Sequence, residues 1–441
     1  MTVREQVALA RQAALALASS PDETRTGVLL LAATALEKGI QNVLAANALD
    51  MAAAEAEGLP QPLRKRLRMD EKKVADLCEG LRSLAQIGDP LHRTQLATEL
   101  APGLSLYRVT CPIGVIGVIF ESRPDALVQI ASLCLRSGNA VLLKGGREAL
   151  QTNRALFRIL DTAVRQAGLP DRWAVLLETR EDVGEMLALA GLIDLIIPRG
   201  SNEFVRFIMD HSRIPVLGHA EGKCHVYVDC DADVDMAVKI TVDSKTQYVA
   251  VCNAAETLLV HRAIAGKALP AIADALRSAG VALRGCERTR AITPCEPATE
   301  EDFDTEYLDY ILSIKVVDSL AEAIGHINAH GSGHTDVIVT RDERAARTFL
   351  REVDSAGVFW NCSTRFSDGF RYGFGAEVGV ATGKLHARGP MGIEGLCTYK
   401  YKLIGHGHTV GEGLRYTHKP LDNACPLEEE AEAPLAGDGL C

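Results

Sequence analysis

Between Gly114 and Pro198 short apolar runs alternate with longer stretches of helical periodicity: GVIGVIF, ALVQIASLCLRSG, AVLLK, a helix to about Gln166, WAVLLE, a helix near Met186, and LIDLIIP. This is the alternation of βαβ units, and it predicts a mostly parallel sheet covered by helices on both faces. A second α/β unit begins near Cys224, with CHVYVD, then ETLLV from Glu256, then TDVIVT. Ahead of both, residues 2 to about 86 carry apolar side chains at three and four spacing, as in VALARQAALALA and VLLLAATALEKGI, and read as helices. A chain of 441 residues, 47% of them hydrophobic, can bury two cores, so at least two domains are expected. No apolar run approaches a membrane span, and Glu5 and Arg11 interrupt the alanine-rich start. Neither a signal peptide nor a transmembrane helix is expected, and the expected location is the cytoplasm.

Charge and cysteine usage exclude several function classes. The formal net charge of −11 speaks against nucleic acid as a partner. The 12 cysteines include no CxxC pair, which argues against a zinc ribbon or a secreted disulfide framework. Residues 417–441 hold six acids (Asp422, Glu428, Glu429, Glu430, Glu432, Asp438) against Lys419, with three prolines, and are expected to form a disordered acidic tail. The run Arg64-Lys65-Arg66-Leu67-Arg68 reads as a solvated helix face rather than a targeting signal.

One cysteine stands where covalent chemistry would want it. In TQYVAVCNAAETLLVH, Cys252 follows a mostly apolar run, is succeeded by Asn253 and two alanines, and precedes the strand-like ETLLV. Small neighbours leave its sulfur room for a ligand, and the strand holds it on a rigid element. A thiolate there can attack a carbonyl while its own backbone N–H helps to bind the oxyanion. The competing reading is a packed core thiol.

Beyond that window, the chain carries YRVTCPIGVIGVIFESRP (107–124), SGNAVLLKGGREA (137–149), IPRGSNEF (197–204), CHVYVD (224–229) and NCSTRFSDGFRYGFGAEVGVATGKLHARGPMG (361–392). With these motifs the sequence resembles the aldehyde dehydrogenase superfamily and, within it, the γ-glutamyl phosphate reductase (glutamate-5-semialdehyde dehydrogenase) family. The resemblance spans nearly the whole chain to about Gly407 and leaves the tail uncovered. It implies an α/β, aldehyde dehydrogenase-like fold: a Rossmann-like cofactor domain (1–97 and 111–222), an α/β catalytic domain (223–385), and a small oligomerisation extension (98–110 and 386–416). It also implies NADPH-dependent reduction of L-glutamyl 5-phosphate to L-glutamate 5-semialdehyde and phosphate, the second step of proline biosynthesis from glutamate. Cys252 would be the catalytic residue. The partners so implied are that small-molecule substrate, passed on from a glutamate kinase, and further copies of the chain; no membrane is involved. Two alternatives stay open: another aldehyde dehydrogenase, hydrolytic or with a different acyl substrate, and a catalytically silent homologue.

The cofactor site has no GxGxxG, so two other turns are the candidates. One is Lys144-Gly145-Gly146-Arg147, after the strand AVLLK, where the backbone can approach a ribose and the two cations suit the 2′-phosphate of NADP. Glu148 complicates that reading unless the next helix turn points it away. The other is Arg199-Gly200-Ser201-Asn202, joining a strand to a helix whose N–H groups can bind a pyrophosphate, although a plain βα loop with a Ser or Asn cap reads as well. By the resemblance, Glu306 would hold the nicotinamide ribose.

On the substrate side, the position of the glutamate base that hydrolytic relatives need falls on His219, with Glu221 two residues away. The position of their oxyanion asparagine falls near Arg123. Both departures favour an acyl phosphate, for which phosphate rather than water is exchanged at the thioester. Asn253, Ser363, Thr364, Arg365 and Arg388 are the expected binders of the rest of the substrate, arginine being able to hold a carboxylate through two parallel hydrogen bonds. Cys362, beside Trp360, is expected to pack in the pocket wall. His330, His334 and Asp336 invite a metal reading, but the Gly-Ser-Gly between the histidines does not hold them on one helical face, and no metal is expected.

Overall fold

The computed structural model describes residues 1–427 apart from Ser122, Arg180, Ala220, Glu412 and Gly413, and omits the side chain of Pro62. The predicted N-terminal helices are Val3–Ala18, Asp22–Lys38, Ile40–Ala56, Gln61–Leu67 and Glu71–Gln86. The first starts at a capping box, in which Thr2 accepts from the Glu5 N–H and the Glu5 side chain accepts from the Thr2 N–H. Its Val7, Ala10, Ala14 and Leu17 are buried against the parallel sheet that follows. Among the described residues no single helix is long and apolar enough to cross a membrane.

A hairpin comes next, β1 (Thr94–Ala101) and β2 (Leu104–Pro112). Then come β3 (Val115–Phe120), β4 (Ala140–Lys144), β5 (Ala174–Leu177) and β6 (Leu195–Arg199), which form a sheet in the order β5-β4-β3-β6 with every pair parallel. All of β3 and β4 is buried, as expected of near-continuous apolar strands with helices on both faces. The second unit contains β7 (Cys224–Val228), β8 (Ala255–His261), β9 (Ala282–Gly285), β10 (Glu296–Pro297), β11 (Ile311–Val317), β12 (Thr335–Val339) and β13 (Gly357–Trp360). Its order is β10-β9-β11-β8-β7-β12-β13, again with every pair parallel. Both units are the helix-covered parallel sheets that the βαβ alternation predicts.

After a short ribbon of β14 (Gly379–Ala381) and β15 (Gly389–Met391), β16 (Cys397–Ile404) returns to pair antiparallel with β2. Tyr399, Tyr401 and Leu403 alternate along its exposed side. The disordered-tail expectation needs correction over its first part. From Thr417 the chain forms β17 (Lys419–Pro420) on the outer edge of β1, with the Thr417 N–H donating to Leu100 O at 2.8 Å and the Leu421 N–H to Ala97 O at 3.0 Å. Cys425 is fully buried with Tyr107 and Val109. An open strand edge supplies backbone partners whatever the local composition. The acid-rich stretch from Glu428 onward lies outside the described residues.

Candidate active site

Cys252 lies in the turn just before β8, and His334 just before β12, so two neighbouring parts of the second sheet deliver both side chains to one edge. His334 Nε2 is 3.2 Å from Cys252 Sγ, and its Nδ1 is 2.9 Å from Thr335 Oγ1. With Nδ1–H donating to that hydroxyl, Nε2 is the acceptor for the thiol proton. The loop is packed closely from below. A Cβ at Gly222 would overlap the carbonyl and Cα of Cys252, and Cys224 Sγ lies 3.3 Å from the Cys252 carbonyl oxygen.

His219 is the third member of this group. Its Nδ1 donates to the carbonyl of Val380 at 2.9 Å, and its ring stands edge-on to that of His334 with centroids 5.0 Å apart. Burial lowers its pKa below the usual histidine value, against the opposing pull of the Val380 bond, Glu306 and Glu377. Glu221 turns elsewhere, pairing with Arg206 and Lys223. Ring nitrogens of His219 and His334 and the sulfur of Cys252 lie within 4.8 Å of one another. The metal reading of His330, His334 and Asp336 does not survive. His330 bonds Asp304, Asp336 pairs with His225 and Ser355, and only His334 reaches the site. Its partnership with the cysteine was missed in the sequence, although a thiol nucleophile needs a base and TDVIVT is immediately preceded by this histidine.

The C-terminal edge of the first sheet faces the same space. Lys144, at the end of β4, is buried, and its ammonium donates to Gly145 O at 2.5 Å. Burial lowers its pKa, while Glu148 and Asp182 work in the other direction. A Cβ at Gly145 would run into Asn153 and Phe120, so only glycine lets the backbone lie open there. Glu148 does not point away, since a Cβ at Gly146 would meet its carboxylate. Arg147 is exposed and pairs with Glu57 at 2.9 Å. In the second turn Ser201 caps the helix Asn202–His211, as the plain-loop reading has it. Glu121 accepts from the Ser201 N–H at 3.3 Å, and its carboxylate would meet a Cβ on Gly200. Glu306 accepts from the Asn202 side chain and, at 2.8 Å, from the Gly222 N–H, tying the two sheets together beside Cys252.

The expected substrate residues divide into two sets, and Arg199, expected on the cofactor side, lies with the first. It is close enough to Glu377, Arg123 and Cys252 for their charges to act on it. Arg365, buried with its Nε on Gln247, is influenced in the same way by Arg371 and Cys252. Arg123 heads the helix Pro124–Arg136 and pairs with Asp125 at 3.0 Å. The charge of Cys252 therefore acts on Arg199 and Arg365, and that of Arg123 on Arg199. The others are bonded within the protein. Ser363 Oγ accepts from Ser244 Oγ and from the Arg365 N–H, and Thr364 Oγ1 donates to Asn253 O at 2.6 Å. Asn253 Nδ2 donates to Ser367 O, leaving its Oδ1 as a buried atom with no partner. Arg388 is engaged by the Thr382 and Asp354 carbonyls and the Asp354 carboxylate. Burial raises the pKa of Cys362.

The chain matches a model of the aldehyde dehydrogenase family over residues 1–295. It is 61% identical over 412 residues to a gamma-glutamyl phosphate reductase of Pelotomaculum thermopropionicum, covering 93% of this chain and 95% of that protein. It is 57% identical over 431 residues to a protein of the same name from Acetivibrio thermocellus, covering 97% and 100%. Among solved structures it resembles the gamma-glutamyl phosphate reductase of Thermotoga maritima, at 38% identity and a TM-score of 0.91, over 93% of this chain and 100% of that one.

Proposed function

Since the chain belongs to the aldehyde dehydrogenase family and, within it, to the gamma-glutamyl phosphate reductases, we propose that it reduces L-glutamyl 5-phosphate to L-glutamate 5-semialdehyde with NADPH, in proline biosynthesis from glutamate. The observation that carries the reading is the thiol of Cys252 set against the imidazole of His334. His334 Nε2 takes the Sγ proton. The thiolate attacks the acyl carbon, the bond from that carbon to the phosphate oxygen breaks, and inorganic phosphate leaves behind a thioester. Arg123, Arg199 and Arg365 supply the positive field for the phosphate and for the substrate carboxylate. His219, neutral and bonded to Val380, would replace the carboxylate that activates water in hydrolytic relatives.

The residues present fit a dinucleotide. β3, β4 and β6 are neighbours in one parallel sheet, so their C-terminal ends lie side by side, with the close-packed Gly145 and the buried ammonium of Lys144 at the end of β4. Lys144 would meet the 2′-phosphate, the Gly200 to Asn202 turn the pyrophosphate and Glu306 the ribose. When bound, the reduced nicotinamide supplies the hydride that takes the thioester to the aldehyde level. The sulfur–carbon bond then breaks, returning the Cys252 thiolate, which His334 reprotonates. Self-association belongs to the same proposal, through the exposed apolar side of β16.

The test is the reverse reaction, NADP reduction by the semialdehyde with and without inorganic phosphate. Phosphate dependence, with arsenate as a substitute, is the expected result. Equal rates without phosphate would assign the chain to a hydrolytic activity instead.

A further inference from the structure

Three donors of metal-binding type converge at the thiol: the Cys252 sulfur and ring nitrogens of His219 and His334, all within 4.8 Å of one another. Each imidazole already has its Nδ1 occupied, on Val380 O for His219 and on Thr335 Oγ1 for His334, both at 2.9 Å. A carbonyl can only accept, so Nδ1 of His219 carries its proton and Nε2 keeps the lone pair. A histidine whose far nitrogen is held by an oxygen is the usual metal-ligating arrangement, because that bond fixes both tautomer and ring orientation.

We propose that His219, Cys252 and His334 form a two-imidazole, one-thiolate site for a borderline-soft divalent cation of the zinc class, whose occupancy blocks the nucleophile. Zinc takes sulfur at about 2.3 Å and imidazole nitrogen at about 2.0–2.1 Å in a tetrahedral set. Neighbouring donors of such a set stand about 3.3–3.6 Å apart. The separation of His334 Nε2 from Cys252 Sγ, 3.2 Å, is already near that spacing. Three protein donors leave a fourth position for water, so the cation would exchange rather than be locked into the fold. Soft thiolate together with imidazole selects zinc, cobalt or cadmium over magnesium or calcium. Glu306 and Glu377 add negative charge around His219, and Arg199 opposes them.

On binding, the Cys252 thiol gives its proton to solvent, a sulfur–metal bond forms and a metal-bound water leaves, with no change of oxidation state. The sulfur lone pair that would attack an acyl carbon is then engaged, and a chelator restores it. The inference shares Cys252 with the proposed activity but is read from metal binding, so either can fail alone.

The experiment titrates Co²⁺ into the full-length, reduced protein and follows thiolate-to-cobalt charge-transfer absorption. One equivalent should saturate the band, and Zn²⁺ and EDTA should both abolish it. Cys252→Ser should lack the band, and His219→Ala and His334→Ala should each weaken binding at least about tenfold. In the unmodified protein, Zn²⁺ should slow iodoacetamide labelling of Cys252 and leave that of the exposed Cys230 unchanged, read by peptide mass. No band, a band unchanged in Cys252→Ser, wild-type affinity in both histidine variants, or Cys252 labelling insensitive to Zn²⁺ would overturn the proposal.

Discussion

The chemistry at the scale of single residues rests on one sulfur and one ammonium. Removing the Cys252 thiol by Cys252→Ala deletes the nucleophile at a half-buried site and creates little cavity, so turnover should fall at least about a thousandfold. NADPH binding and the thermal midpoint should stay near wild type; steady-state rates beside a binding titration check this, and substantial remaining activity would exclude the covalent route. Lys144 is a buried cation whose ammonium donates to the carbonyl of the neighbouring Gly145, and burial has already lowered its pKa. A charged group held this way gains most from an incoming anion. Lys144→Ala should therefore weaken NADPH by about 1.5–3 kcal/mol and NADH by much less. Equal losses in paired titrations would show that the 2′-phosphate sits elsewhere, for instance against Arg147 once that residue releases Glu57.

At the scale of elements, the site depends on the approach of one loop to another. Gly222 lies directly against the Cys252 backbone, which cannot swing aside as a side-chain tip can. Gly222→Ala should displace the thiol, lower kcat/KM about a hundredfold and also lower the midpoint of thermal unfolding, since the clash is with backbone. Slower iodoacetamide labelling of Cys252 would accompany it, and wild-type kinetics would refute the close approach. The same elements show what the sequence made legible. β3, β4, β6, β7 and β12 could be read because each is a short apolar run bounded by turns, and Cys252 because small residues and a strand flank it. The partnership of His334 could not be read, because the strand order β8-β7-β12 brings together residues 82 positions apart. Nor could the capping of residues 417–425 onto β1, whose partner is a distant strand edge. The hydrogen bonds of Ser363 and Thr364 to Ser244, Arg365 and Asn253 could not be read either, since spacing does not show which distant side chain or carbonyl a hydroxyl will meet.

Over the whole molecule, the two parallel sheets meet at the site, and Glu306 bonds elements of both. Away from it, the second unit buries a histidine cluster that sets how the fold answers acid. His326 packs on Phe303, His225 and His330, its Nδ1 faces the Lys315 ammonium at 3.4 Å, and burial drops its pKa from 6.5 to about 3. The folded-state pKa is depressed, so the unfolded chain binds the proton first, and stability falls as pH drops below about 6.5 toward 3. Urea unfolding from about pH 7 to about pH 5 should show this loss, smaller in His326→Phe than in wild type. Identical slopes would contradict it.

The claim that joins fold, site and reaction is that acyl transfer passes through Cys252 with phosphate, not water, as the second acceptor. Rapid mixing of enzyme and NADP with the semialdehyde in phosphate-free buffer tests it in one trace. The account predicts a burst of NADPH equal to the enzyme sites, then a stall that added phosphate relieves, and no burst in Cys252→Ala. Continuous NADPH formation without phosphate, at the phosphate-saturated rate, would contradict it.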